Sequence, residues 1–383
     1  MESLKYLINK PLLDGNEKKY INDVLDSGWL SQNGKYTKKL EYEFSKYLGV
    51  FGTVAVQSGT AALHVACKSV GVKNGDFVIV PNFTCGACVT APILSGAIPV
   101  IMDIELDTLS LDLNNLENVF TAYKPRALIL VHMYGYPAKY TIEIQKLCTQ
   151  YNVALIEDCA EAHGATLNSK KVGLFGEVSI FSIRSDKMIG AGEGGLVSSV
   201  HQSTLEEARL YANRSAPYRR KGDPWMLAYY YNDLALNYAL PEPLSALALA
   251  QLENLDRRII MKREIASTYR DLLSSESRIS MQKIMPNTEP VYWLNTILLD
   301  GFGFSKTYKI GKLLMEKGIE ARPGFYPLSD QNFNVVRYGS QKTGSYVFEN
   351  SIVLPSAVEL ANNSCEEIHN IVKILKDILS KFD

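Results

Sequence analysis

The 383-residue sequence is short of most features that mark a specialised chain. Its 40 Lys and Arg balance 41 Asp and Glu for a net charge of −1, which removes the electrostatic case for nucleic acid or a membrane surface. It has no run of about 18 apolar residues, so no membrane-spanning helix is expected. The opening MESLKYLINKPLLDGNE is too polar for a secretory signal. The six cysteines, Cys67, Cys85, Cys88, Cys148, Cys159 and Cys365, follow no framework spacing. Cys85 and Cys88 form a lone C-x-x-C without a second pair. We read all six as buried thiols in a reducing cytoplasm, with no metal. No internal repeat, low-complexity tract or helix-turn-helix appendage is visible. The remainder, 46% hydrophobic and 21% charged, is ordinary for a soluble globular protein. The length predicts two domains, or a large one with an appendage.

One stretch organises the rest: FSIRSDKMIGAGEGG, Phe181 to Gly195. It holds a single lysine, Lys187, with a hydroxyl ahead of it (Ser182) and four glycines behind it, Gly190, Gly192, Gly194 and Gly195. A lysine amine is a nucleophile only when unprotonated, and burial with a positive neighbour makes it competent to form a Schiff base with a carbonyl. Arg184 is the expected neighbour. Gly190, Gly192 and Gly195 spell the dinucleotide fingerprint G-x-G-x-x-G, which requires a strand before it and a helix after it. Here the β-branched, apolar Leu196 to Val200 follows and reads as a strand, so a Rossmann site is rejected.

Upstream, Val153 to Ile156 is a short apolar run, a buried strand by pattern, that ends in Glu157-Asp158. Carboxylates at the end of a buried strand are costly unless they meet a partner. A pyridine nitrogen that must stay protonated is such a partner. Pyridoxal phosphate needs a lysine at its aldehyde carbon and a carboxylate at its ring nitrogen, and Lys187 and Asp158 supply both.

Further motifs run along nearly the whole chain: PLLDGNEKKYINDVLDSGWLSQNGKY, QSGTAALHVA, GDFVIVPNFT, ALILVHMYGYPA, LIEDCAEAHGA, GIEARPGFYPL and SIVLPSAVEL. With the lysine stretch, they make the chain resemble the DegT/StrS family of sugar aminotransferases. The resemblance implies the α/β architecture of fold type I: a mostly parallel central sheet flanked by helices, with a smaller C-terminal α+β domain. We place the boundary so that 1–245 form the cofactor-binding domain and 246–383 the smaller one.

The order of elements agrees with that architecture. Helices are predicted from Asn16 to Ser27 and Tyr36 to Leu48. Short apolar runs at Val54–Val56, Phe77–Val80, Pro99–Asp103 and Ala127–His132 alternate with helical segments such as Thr141 to Tyr151, which argues for a parallel sheet. Ligands in such sheets sit at the carboxyl ends of the strands. Ser58, Gly59 and Thr60 begin a helix there. The exposed N–H groups of a helix start bind phosphate, and Ser58 also suits an ordinary cap. These three residues resemble the family's phosphate turn. His64 and His163 read as packed core residues. Long apolar helices follow from Glu242 to Leu255 and Met261 to Ser274, then a strand from Val291, a helix from Lys306 and a last helix from Cys365.

The resemblance implies further roles. Glu161 stands where the family places a residue near the ring hydroxyl, and Ser182 near the cofactor. Asn237 matches the Asn that reaches across a homodimer to the phosphate of the other subunit. Ala239 replaces a family Arg, and Arg184 or Arg214 are its candidate substitutes. Cys85 takes the place of the aromatic residue that stacks on the cofactor, with Phe83 nearby. Trp29, Arg184, Arg214, Arg322 and Tyr326 are candidate substrate contacts, and Arg214 to Asp233 is the candidate specificity loop. The reaction implied is transfer of an amino group from L-glutamate to a keto sugar, expected to be a nucleotide-linked 4-keto-6-deoxy sugar of cell-surface polysaccharide. Relatives with His in place of the lysine are sugar dehydratases, which Lys187 opposes. Two alternatives stand: amination of the eight-carbon acid sugar of lipopolysaccharide, which has no nucleotide carrier, and a non-catalytic cofactor-binding sensor.

Overall fold

The computed structural model describes residues 4–214, 231 and 234–382. Most of the specificity loop expected from Arg214 to Asp233 lies outside these residues. The central sheet has eight strands in the order Gly52–Val56, Gly195–Ser199, Val178–Ser182, Ala154–Asp158, Ala127–Val131, Phe77–Pro81, Ile98–Met102 and Val336–Arg337. Gly195–Ser199 runs antiparallel to both of its neighbours, and the other pairings are parallel. The residues after the glycine cluster are therefore a strand, which leaves no helix start for a dinucleotide there.

Strand runs such as ALILV are apolar throughout because both faces are covered. Successive side chains point to opposite faces. Ile129 and Val131 thus join the core under the helix Gly59–Ser69, while Leu128 and Leu130 pack with Val119, Phe120 and Ile144 on the other side. The same alternation separates the two acids that end Ala154–Asp158. Glu157 is consumed by the protein. It accepts from the N–H groups of Gly173, Phe175 and Gly176 and from His132 Nε2 at 3.1 Å. His132 Nδ1 accepts from Ala138 N–H at 3.0 Å, which fixes the ring proton on Nε2. His132, Glu157 and Cys159 lie close enough together to suggest a metal cluster, but those bonds already use both histidine nitrogens.

A second sheet, antiparallel, runs Ile279–Met281, Asn295–Leu299, Ser351–Leu354, Arg322–Pro323. The helices Leu255–Leu273, Gly303–Glu316 and Glu366–Leu379 cover it through Ile265, Tyr269, Ile310, Leu314, Ile371 and Leu375. The two parts of the chain interleave. Val336–Arg337 extends the large sheet, and Tyr6 from the N-terminal segment packs in the small core. Residue 245 falls within the helix Glu242–Leu252, whose Ala246, Ala248 and Leu249 belong to the large core.

Gly195 is where the antiparallel strand meets the turn at Ser58. A Cβ there would stand 2.5 Å from the Ser58 carbonyl oxygen and 3.0 Å from Gly59 N. Overpacking of this kind costs about 1–3 kcal/mol. We therefore expect Gly195→Ala to lower the unfolding free energy by that amount, read as a lower urea midpoint at unchanged slope. A midpoint equal to that of the wild type would mean that the turn is loosely packed.

Candidate active site

Eight stretches of the chain line one cavity of about 400 Å³ at the carboxyl edge of the large sheet. Its lining includes Ser58, Gly59, Thr60, Asp158, Glu161 and Lys187, and also Ser182, Arg184 and Arg322. The residues expected to hold the cofactor thus lie together, apart from Asn237.

Ser58 is the N-cap of helix Gly59–Ser69, its Oγ accepting from Ala61 N–H at 3.0 Å. The hydroxyl is spent on the cap, which leaves the helix start itself, at Gly59 and Thr60, on the cavity wall. Gly59 is tight against Ser182, whose Cβ is 3.0 Å from where a Gly59 Cβ would be. Asp158 is 5% exposed. Its Oδ1 accepts from Ala160 N–H at 3.0 Å, and among the described residues its Oδ2 takes only the Cys88 thiol at 3.3 Å. Burial pushes its pKa up, opposed by those two donors and by the charge of Lys187. The carboxylate is therefore short of positive partners.

Lys187 Nζ is held by Glu161 Oε1 at 3.2 Å and stands 3.4 Å from the centre of the Trp293 ring. Glu161 Oε2 accepts from Tyr134 N–H at 2.8 Å, and burial raises the pKa of this acid too. Arg184 is not the free positive neighbour expected for Lys187. Its guanidinium is committed to Asp186 through Nε–Oδ1 at 2.7 Å and Nη2–Oδ2 at 2.5 Å. Arg322 is likewise paired with Glu320 through Nε at 2.8 Å.

Several expected substrate contacts lie elsewhere. Tyr326 is half exposed, packs its edge on Phe348 and lies outside the cavity lining. Trp29 is 55% exposed and lines a different cavity of about 550 Å³ with Thr37, Arg209 and Asn213. Asn237 forms a β-bridge with that same Asn213, and Arg214 N–H donates to Leu236 O at 3.0 Å, so both lie beside the second cavity. Ala239 bridges Val56. Phe83 is wholly buried between Tyr134 and Phe325 and does not reach the cofactor cavity. Cys85 does line it and is exposed, unlike the five buried cysteines. His64 and His163 are buried, and burial lowers their pKa values to about 4 and about 3.

Sequence reasoning missed Tyr134, Trp293, Asp186 and Cys88. Tyr134 has a left-handed backbone, φ 54, which carries little signal in a Tyr. Trp293 sits at the start of a run that read only as strand.

Residues 11–373 match the profile of the DegT/DnrJ/EryC1/StrS aminotransferase family. The chain belongs to this family. It is 36% identical over 371 residues to the GDP-perosamine synthase of Vibrio cholerae, covering 96% of this chain and 98% of that protein. The structure of 3-amino-5-hydroxybenzoic acid synthase superposes with a TM-score of 0.90 at 24% identity, over 99% of this chain and 100% of that one. DesV of S. venezuelae, solved in complex with a ketimine intermediate, gives a TM-score of 0.83 at 27% identity, over 94% of this chain and 93% of that one. The protein is an aminotransferase with the fold type I architecture, and aminotransferases of this family use pyridoxal phosphate.

The raised Asp158 carboxyl predicts a pH dependence. The folded protein binds that proton more tightly than the unfolded chain, so stability falls as pH rises from 3.8 through the raised folded value, then levels off. In cofactor-free protein Asp158→Asn should therefore be the more stable form at pH 7.5, by on the order of 2–4 °C in Tm. Most of the gap should close near pH 4. A scan at the two pH values checks this, and equal melting at pH 7.5 would contradict the burial argument.

Proposed function

We propose that this family member transfers an amino group from L-glutamate to the carbonyl of a nucleotide-linked 4-keto-6-deoxy sugar, using pyridoxal phosphate, in the building of cell-surface polysaccharide. The observation that carries the reading is the pairing in one cavity of a buried, under-satisfied carboxylate, Asp158, with the amine of Lys187. The near full-length likeness to a GDP-perosamine synthase supports the sugar and its carrier.

The residues present fit the cofactor. A carboxylate whose burial is incompletely offset suits a protonated ring nitrogen, which restores the charge that Asp158 lacks. The start of helix Gly59–Ser69 offers unpaired N–H groups to a phosphate. When bound, pyridoxal phosphate supplies an aldehyde that carries the amino group and a ring that takes up an electron pair. The protein supplies the rest. Asp158 keeps the ring nitrogen protonated. Lys187 removes a proton at the substrate carbon and returns it as general base and acid. Glu161 holds the Lys187 amine in reach. Tyr134, Trp293 and Leu294 wall the cavity and limit water. Arg184 and Arg322 stand at the same cavity, about half exposed, where the carboxylates of glutamate or the phosphates of a nucleotide can compete for them.

Trp29, Arg214 and Asn237, gathered at or beside the second cavity, make sense in a homodimer whose protomers complete each other's sites, with Asn237 reaching the partner's phosphate.

Three measurements test the reading. Lys187→Ala should lose the yellow colour of the cofactor-loaded protein and at least about 1,000-fold in turnover. Retention of both would refute Lys187. A one-to-one mixture of refolded Lys187→Ala and Asn237→Ala protomers should recover about a quarter of wild-type activity, since half the dimers carry one intact site. No recovery would count against shared sites. Finally, loaded protein mixed with glutamate and candidate keto sugars is read by mass. Amination of the nucleotide-linked sugar supports the proposal, and amination of the free eight-carbon acid sugar replaces it. Failure of glutamate to bleach the colour favours a sensor.

A further inference from the structure

Lys262, on helix Leu255–Leu273, is fully buried. Among the described residues its ammonium is held by neutral acceptors: Asn9 Oδ1 at 3.1 Å, Trp293 O at 2.9 Å and the Ser356 carbonyl. These come from three remote segments, and they use all three of its donors. Burial lowers its pKa to about 7, weakly opposed by Asp186. A buried lysine kept so close to neutrality is costly to maintain.

Two of its partners reach onward to one atom. Asn9 Nδ2 donates to the Asp186 carbonyl oxygen at 2.5 Å, and Trp293 Nε1 donates to the same oxygen. That carbonyl belongs to the peptide immediately before Lys187. The indole so anchored presents its ring 3.4 Å from Lys187 Nζ. An aromatic face favours a cation.

We propose that Lys262 is a positioning residue for Lys187 and acts through Trp293, fixing the indole whose face aims the reacting amine. This deepens the reading of Lys187 as the proton carrier and rests on that reading for its catalytic meaning. Among the described residues the other ionisable groups acting on Lys187 are Glu161, Asp158, Asp186, His163 and Cys85, and none of them is replaced in the variants below.

The sign of the effect separates this idea from a simple charge effect. If Lys262 acted on Lys187 only as a nearby positive charge, its removal would make Lys187 hold its proton more tightly. If it acts by placing Trp293, its removal weakens the ring contact, and Lys187 releases its proton more easily. The test is labelling of Lys187 in the full-length, cofactor-free protein by trinitrobenzenesulfonate across pH, quantified by peptide mass spectrometry. The pH midpoint of the rate reports the amine's proton affinity rather than its accessibility. Trp293→Leu should move the midpoint to lower pH and raise the rate at pH 7.5 by about 3–30-fold. Lys262→Met should shift it in the same direction, and the double variant should go no further than Trp293→Leu. A Lys262→Met midpoint that is unchanged or higher, or effects that multiply, would overturn the proposal. Circular dichroism confirms folding. Should Lys262→Met not fold, Lys262→Gln decides, since it keeps a polar end but is too short to hold the Asn9, Trp293 and Ser356 oxygens together. A midpoint between wild type and Trp293→Leu supports the proposal, and a wild-type midpoint overturns it. No arm needs cofactor, so a chain that bound none would defeat the proposed function without touching this result.

Discussion

A carboxylate buried at the end of an apolar strand is the constraint around which the molecule is arranged. Strand alternation sends Glu157 to one face and Asp158 to the other. Glu157 is fully used, with three backbone N–H groups and the His132 ring on its two oxygens. Asp158 has one good donor and one thiol. Such an imbalance is destabilising unless something cationic arrives. The helix start at Gly59, the lysine stretch and Arg322–Pro323 with its flanking residues all end at the cavity where that would happen. An acid so incompletely partnered costs stability, as expected where a site is built for a ligand.

Much of this was legible in the sequence, for identifiable reasons. Short β-branched runs closed by polar residues mark buried parallel strands. The helix Thr141–Tyr151 and the strand at Gly195–Ser199 lie where periodicity and branching put them. Motif spacing brought Lys187, Asp158 and the Ser58–Thr60 turn to strand ends, and the fold places all of them on one cavity. What was not legible depends on tertiary approach. Nothing local marks Trp293 as the cover of Lys187, or Cys88 as the donor to Asp158. Arg184 looked like a free cation because its partner is two residues away, in a turn whose geometry no pattern encodes. Phe83 and Tyr326 were misplaced because a residue near a motif in sequence need not face the same way.

The arginines illustrate a wider feature of the site. Arg184 and Arg322 each carry an acidic partner before any substrate arrives. An incoming anion must therefore exchange with a carboxylate rather than meet a bare charge, which favours ligands that engage both guanidiniums at once over a stray single anion. Both guanidiniums are about half exposed, which leaves them within reach of such an exchange.

The stitching of Asn9 and Ile8 has a consequence for the order of folding. Ile8 N–H binds Glu320, Ser356 N–H donates to the Ile8 carbonyl, and Asn9 meets Lys262. Ile8 and Glu320 stand 312 residues apart in the chain, and Asn9 and Lys262 stand 253 apart. Pairings so distant carry a large loop-closure cost and form after the local ones. Docking of this segment is thus expected as a closing step of folding rather than as its nucleus.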